Sequence, residues 1–535
     1  MHTVRKTTPR KESMPVNFKR AHSWILLMVG INLMWAAGCA KLPENINRPL
    51  SSAITDGQET LIGRHYSAQL ADHDGKSGVF LLGKGLDAFV ARAILARIAE
   101  ASIDVQYYMF HQDTVGQLLL NELLSAADRG VRVRMLIDDI YGGEADDVWT
   151  ALDSHPQMEV RLFNPFVRGS SKNLQWITRF GDLNYRMHSK SFTVDNQATI
   201  LGGRNIGDEY FDASPDLAFA DLDLFAIGPV VPEVSAAFDE YWNSDYAYPA
   251  SALTQTAGAE QLEAIKQRLD EASRQEAATV YIEALKNSDL AQGLLAGSAH
   301  FKWAEEAMVI HDSSEKKARE ENWKEELLIS KLWPYLDRAS EEIIIVSPYF
   351  IPGKKGADAL CTLSQRGVKV RILTNSLASN DVAAVHAGYS KYRKQLLGCG
   401  VALYELDERI TEQAEAHFTW LKGLDKSSLH AKTMVIDRKA MFVGSMNLDP
   451  RSLHINNEIG ILFLNPEIAD DSARNFDRNI EQAAFRLSLD PDKGDITWHT
   501  IKQGEEIVYH TEPYVGFWKR LVVDIIRLLP VESQL

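Results

Sequence analysis

Apolar and polar positions follow one another along this chain in an order that occurs twice. Ile103–Phe110 and Ile343–Phe350 are apolar runs of strand length, and Gly116–Asp128 and Ala357–Gln365 place apolar residues at helical spacing. Each helical pattern closes on an Arg-Gly turn, and the strands that follow read Val-Arg-Val-Arg-Met-Leu-Ile from Val131 and Val-Lys-Val-Arg-Ile-Leu-Thr from Val368. Farther on, Phe192-Thr-Val-Asp195 matches Met434-Val-Ile-Asp437, and a third strand ends at Gly228-Pro229 in one copy and at Asn465-Pro466 in the other. Strand, helix, strand is the grammar of an α/β unit whose sheet is covered on both faces. The expected fold is therefore α/β: two duplicated domains, each a central mixed sheet flanked by helices, packed with pseudo-two-fold symmetry.

Outside the repeat, three segments have patterns of their own. Residues 258–288 are rich in Glu, Gln, Ala, Lys and Arg, with Leu262, Ile265 and Leu269 at helical spacing, and predict a helical connector whose stripe packs on the body. Near the C-terminus, Phe517, Trp518, Leu521, Val522, Ile525, Leu528 and Leu529 form an apolar stripe opposite Lys519, Arg520 and Asp524. A helix docked on the body is the favoured reading of that stripe, and a helix lying in a membrane interface is the alternative. At the other end, six basic residues and one acidic residue precede the apolar run Trp24–Ala37, which is too short to span a bilayer comfortably. That run ends in Ala36-Ala37-Gly38-Cys39, which resembles a bacterial lipobox. Lipidation of Cys39 is favoured over an uncleaved signal anchor, and either one places the body in the periplasm, held to a membrane. The resulting division is 1–38 signal or anchor, 39–60 polar tether, 61–257 first domain, 258–295 connector, 296–490 second domain and 491–535 C-terminal extension.

Charge narrows the function. The chain has 57 Lys and Arg against 73 Asp and Glu, a formal net charge of −16, and this balance argues against a nucleic-acid-binding protein. Residues 1–38 hold a net +5, so the body from Cys39 onward carries −21. Anionic lipid repels such a body, and an anchor is needed to bring it to a membrane. Among the three cysteines, Cys361 and Cys399 are read as small buried thiols in preference to a pair. Neither a Gly-x-Gly-x-x-Gly turn after a strand nor a Walker-type loop occurs, so a nucleotide fold is set aside.

The candidate chemistry sits at equivalent places in the two copies. His188-Ser-Lys190 is followed by Asp195 and Gly202-Gly203-Arg204-Asn205, and His430-Ala-Lys432 by Asp437 and Gly444-Ser445-Met446-Asn447. From the histidine, the lysine, aspartate and asparagine lie 2, 7 and 17 residues on in both copies. Alternation on a strand puts His and Lys on one face, an imidazole beside an ammonium. Lys and the Asn amide can donate to the nonbridging oxygens of a phosphodiester while an imidazole attacks phosphorus. Two such halves face to face would set one histidine to attack and the other to protonate the leaving oxygen.

These duplicated motifs identify the chain as resembling the phospholipase D superfamily, over roughly residues 60–530. The resemblance implies a phosphohistidine intermediate and no metal or other cofactor, with His188 as nucleophile and His430 as acid and base. It implies that Lys190, Lys432, Asn205, Asn447 and Ser445 bind the phosphate, and that an acidic residue orients each ring. Glu458, 28 residues after His430, fits that role, and Asp221 is its counterpart after His188, since each lies eight before the matching proline. Asp223 competes with Asp221, and the residues Gly207 to Phe219 read as a loop insertion. Asp195 and Asp437, though members of the catalytic motif, are expected to hold its turn and not to touch substrate. The run Gly444–Ser452, Asn456-Asn457-Glu458 and the tail from Trp498 to Glu532 resemble the C-type group of bacterial cardiolipin synthases. That resemblance implies phospholipid substrates at a membrane, transfer of a phosphatidyl group to phosphatidylglycerol, and hydrolysis to phosphatidic acid as the alternative outcome. No feature of the chain fixes an oligomeric state.

Overall fold

The computed structural model describes residues 41–45, 48–214, 218–254, 257–316, 327–380, 382–409, 427–502, 504–529 and 532–534. The signal or anchor segment and Cys39 lie outside them.

Each half is built on five strands in one arrangement. In the first half these are β1 (Ser102–Tyr107), β2 (Arg132–Asp138), β3 (Ser191–Val194), β4 (Ala198–Gly202) and β5 (Asp223–Ile227), in the order β5-β4-β3-β1-β2. In the second they are β6 (Glu342–Val346), β7 (Lys369–Asn375), β8 (Thr433–Ile436), β9 (Ala440–Gly444) and β10 (Ile459–Leu464), in the order β10-β9-β8-β6-β7. Of these five, the first two strands of each half are parallel, joined by the crossover helix Thr114–Asp128 or Gly353–Gln365 that parallel pairing requires, and the sheet continues in parallel into Met158–Phe163 or Ala402–Leu406. The remaining pairs among the five are antiparallel, so both sheets are mixed. β1 and β6 are buried along their whole length, as expected of strands covered on both faces.

The halves are joined by backbone and by core. Lys302–Ala304 adds an edge strand to the first sheet through Ser77–Leu82, and two residues on, Glu306–His311 adds one to the second through β10. Ala218–Ala220, at the end of the inserted stretch, pairs in parallel with Ser427–Leu429, immediately before His430. A continuous apolar cluster runs across the boundary and includes Leu201, Leu224, Val231, Val435, Val443 and Ile461.

Several segments differ from the sequence expectation. The stretch read as a polar tether is fastened along the first domain: Arg134 donates to Ser51 O, Arg161 to Pro49 O, and Ala53 N donates to Asp239. The connector stripe packs on the body as expected, but its helices are part of the first domain's outer layer, burying Ile265, Leu269, Tyr281 and Leu294 in its core. Past Ala483 the chain extends the second sheet through Ala484–Leu489, Ile496–Lys502 and Glu505–Tyr509, so much of the C-terminal extension is sheet edge. The terminal helix, Phe517–Arg527, buries Val523 and part of Ile526 against Leu377 and Ala387, and leaves the predicted apolar stripe exposed. Docking is thus by one edge, and the seven-residue stripe is not what docks.

Cys361 and Cys399 are not free thiols. They form a disulfide between the helix Gly353–Gln365 and the turn after Arg393–Gly398, closing a loop with a sequence separation of 38. Burial made both readings compatible with the sequence, and helix packing against helix brings the sulfurs together. A cross-link of this span removes unfolded-state entropy worth about 2–4 kcal/mol. The double substitution Cys361→Ser, Cys399→Ser is expected to lower the thermal midpoint by several degrees, and thiol titration of the unreduced, unfolded chain should find neither residue.

Candidate active site

Both motif histidines precede their strands. β3 begins at Ser191 and β8 at Thr433, so His188 to Lys190 and His430 to Lys432 are extended segments leading into them. What holds each segment is the other half. His188 N donates to Asn457 O at 2.9 Å, and Asn457 N donates to Arg186 O at 2.9 Å. His430 N and Ala431 N both donate to Ala220 O, at 2.8 and 3.0 Å.

The side chains cross in the same way. His188 Nδ1 lies 2.9 Å from Glu458 Oε2, and His430 Nδ1 lies 2.6 Å from Asp221 Oδ2. Counting from the prolines points to the two acids that the structure brings to the imidazoles, but it suggests that each serves the histidine of its own half. The structure corrects that pairing, because the backbone pairs at Asn457 and Ala220 carry each acid to the opposite histidine. Asp223, the competing candidate, sits in an ion pair with Arg92 at 2.8 Å and beside Arg204 at 3.5 Å, away from either imidazole. A carboxylate only accepts hydrogen bonds, so each Nδ1 carries the proton and each Nε2 presents a lone pair.

Burial and charge set the protonation of the cluster. His188 is pushed down to about 4 by burial, which Glu458 opposes and Lys190 reinforces. His430 is pushed down to about 3 by burial and by Lys432, against Asp221. Burial also lowers the Lys190 ammonium to about 7, with Glu458 opposing and Lys432 adding to the effect. Burial alone would raise Asp221, yet His430 and Lys432 hold it down to about 2. Glu458 likewise ends below its ordinary range, because His188 and Lys190 outweigh its burial. The field of Lys432 reaches His188 and that of Lys190 reaches His430, so the two halves make one electrostatic site.

The remaining motif residues divide by position. Asp195 and Asp437 lie at the far ends of β3 and β8, on the order of 15 Å along the strand from the lysines. Asp195 accepts from the backbone N–H groups of Glu100, Ala101 and Ser102, and Asp437 from those of Ser340, Glu341 and Glu342. Each has a positive φ, 54° and 50°, so these aspartates build the turns that start the next strands. Asn205 donates to the Tyr210 hydroxyl at 2.8 Å, and Asn447 is buried with no partner for its Oδ1 among the described residues. Ser445 donates to Glu458 Oε2 at 2.5 Å and accepts from Ile459 N at 3.0 Å, so its hydroxyl holds the acid.

Gly203 stands where the other copy has Ser445, and space explains it. A Cβ on Gly203 would fall 2.2 Å from Asp221 Oδ1. Aromatic residues that the motif does not announce complete the site. Tyr108 stands edge-on to His188 at 4.9 Å with Lys190 Nζ 5.2 Å from its ring centre, while Tyr210 and Phe219 each lie 5.1 Å from the His430 ring. Tyr210 and Phe219 come from the stretch Gly207 to Phe219, and the only sign of them in the sequence is the five-residue excess between motif and acid. Gly203→Ala is expected to lower kcat at least tenfold by displacing Asp221, and the double variant Gly203→Ala, Asp221→Asn to be no slower than Asp221→Asn alone. Steady-state rates of the four proteins in this cycle check it.

Comparison with known proteins agrees with this geometry. The family described as "Cardiolipin synthase, PLD-like domain" matches twice, over residues 94–242 and 332–480, each match enclosing one His-x-Lys motif. The chain is 42% identical to cardiolipin synthase C of Escherichia coli (strain K12) over 463 residues, 86% of this chain and 97% of that protein. It is 31% identical to an uncharacterized protein of Helicobacter pylori (strain ATCC 700392 / 26695), over 94% of this chain and 99% of that one. To cardiolipin synthase A of Pseudomonas entomophila (strain L48) it is 27% identical, over 73% of this chain and 66% of that protein. With both copies of the domain matched and a relative of this identity aligned nearly end to end, the chain belongs to the cardiolipin synthase family of phospholipase D-like proteins.

Proposed function

We propose that this protein is a membrane-tethered phosphatidyltransferase that makes cardiolipin from phosphatidylglycerol, with phosphatidylethanolamine as the phosphatidyl donor. The observation that carries the reading is the pair of crossed imidazole–carboxylate contacts in one buried, lysine-lined site. The 42% identity to cardiolipin synthase C over almost the whole of both chains selects the substrate class.

The reaction runs in two displacements. In the first, His430 takes up a proton at Nε2 as the anionic phosphodiester enters, His188 Nε2 attacks the donor's phosphorus, the bond to the ethanolamine oxygen breaks, and His430 gives that proton to the leaving oxygen. Lys190 and Lys432 meet the charge on the nonbridging oxygens, and Asn447 offers them its amide. In the second, His430, now neutral, takes the proton of the free glycerol hydroxyl of phosphatidylglycerol. That oxygen attacks phosphorus, the P–N bond breaks, and His188 is regenerated with cardiolipin as product. Glu458 and Asp221 keep both rings oriented and stabilise whichever imidazole is charged. No step calls for a metal or another cofactor. Lipidation of Cys39 would hold the body at the membrane on the periplasmic side, and the Cys361–Cys399 disulfide supports an oxidising compartment.

The decisive measurement is product analysis. Purified protein given phosphatidylglycerol and phosphatidylethanolamine should release ethanolamine and yield cardiolipin, whereas phosphatidic acid as the sole product would overturn the transfer. His188→Ala and His430→Ala should each lose several orders of magnitude in rate. The pH profile has a definite sign. Lys190 is charged below its depressed value of about 7 and neutral above it, so kcat/KM for lipid should fall as pH rises through about 7, the limb being set by the free enzyme.

A further inference from the structure

The terminal helix Phe517–Arg527 is held to the body at both ends, and what it turns outward is its apolar side. Before it, Glu512 accepts from Arg393 at 2.8 Å and pairs with His386 at 3.2 Å, inside a buried cluster that includes Glu405. After it, Glu532 pairs with Lys391 at 3.1 Å and accepts from the Tyr392 hydroxyl, and Gln534 accepts from Asn184 at 3.0 Å. Between these fastenings, Val523 and Ile526 are the edge that packs. The stripe from Phe517 to Leu529 spans roughly 140° of the helix and points away from that edge. Phe517 is 64% exposed, Trp518 75% and Leu528 83%. A helix fastened this way is oriented by the fold, and its outward apolar surface is larger than a soluble face needs.

We propose that this helix lies in the interface of an anionic phospholipid bilayer and seats the enzyme on its substrate, an inference that rests on the lipid-transfer reading above. Two observations choose a lipid surface over a protein partner. The helix carries Lys519, Arg520 and Arg527 against Asp524, a local positive charge on a body of −21, and bulk electrostatics would drive that body away from anionic lipid. Basic residues beside an exposed Trp and Phe are what an interfacial helix uses, the cations at the headgroups and the rings below them. The second observation is location. Asn184, which holds Gln534, also accepts from Arg451 at 2.8 Å and lies four residues before His188. The short helices that lead into it expose Ile177 and Phe180, so apolar surface continues toward the segment that carries the first imidazole.

The test uses the full chain in detergent-free vesicles of phosphatidylethanolamine and phosphatidylglycerol, the latter brominated on its acyl chains. Wild type should show tryptophan quenching that Trp518→Phe lacks, and the difference should vanish in unbrominated vesicles. The pair Leu521→Asp, Ile525→Asp should lower turnover of vesicle lipid at least tenfold while leaving turnover of the same lipid in detergent micelles within twofold. Equal quenching of wild type and Trp518→Phe, or an equal loss of turnover in vesicles and micelles, would overturn the proposal. So would a dimer in solution that the paired substitution dissolves, since the stripe would then be a protein interface. Quenching needs no catalysis, so it decides the docking even for a chain that makes phosphatidic acid and no cardiolipin.

Discussion

Each imidazole in this protein takes its carboxylate from the opposite half, and most of the architecture is there to make that crossing possible. His188 reaches Glu458 and His430 reaches Asp221, across sequence separations of 270 and 209. Neither half alone contains an oriented base. The parallel pairing of Ala218–Ala220 with Ser427–Leu429, the backbone contacts at Asn457 and Ala220, and the shared apolar cluster all lock the halves in that one relation. A rotation of one domain against the other would cost both acid contacts together, so the interface has to be rigid, as a core is and as a hinge is not.

The crossing also settles how so much charge can be buried. Two ammonium groups and two carboxylates sit in one site, and isolated burial of any of them would be prohibitive. Placed together they balance, and burial keeps both imidazoles neutral with both Nε2 atoms available. A phosphodiester brings one further negative charge. It tips the balance toward protonation, so Lys190, poised near 7, and one imidazole become better cations when the substrate arrives. The site is thus arranged to gain its proton with the substrate, at the moment a leaving oxygen needs one.

How far the sequence discloses this follows from the range of each interaction. The βαβ order, the 2, 7 and 17 spacing, and the turn role of Asp195 and Asp437 are local, and the chain states them directly. Counting back from Pro229 and Pro466 picks out Asp221 and Glu458, but a count within one half cannot say which histidine a side chain meets. The same limit applies to Cys361 and Cys399, where burial is written in the neighbours and proximity is not. It applies again to the terminal helix, whose period fixes a stripe and says nothing about which way the fold turns it. Ser445 matches a phosphate-binding motif position, and only its 2.5 Å contact with Glu458 shows how its hydroxyl is used.

The two copies depart from symmetry at matching places, and the departures are coupled. The first half has Gly203 and the shorter Asp221, the second Ser445 and the longer Glu458. Gly203 clears the space into which the aspartate packs, while in the other copy a hydroxyl fills that space and bonds the glutamate. The five additional residues before Asp221 bring Tyr210 and Phe219 against His430, and His188 has Tyr108 in their place. One duplicated frame therefore surrounds its two imidazoles with different walls.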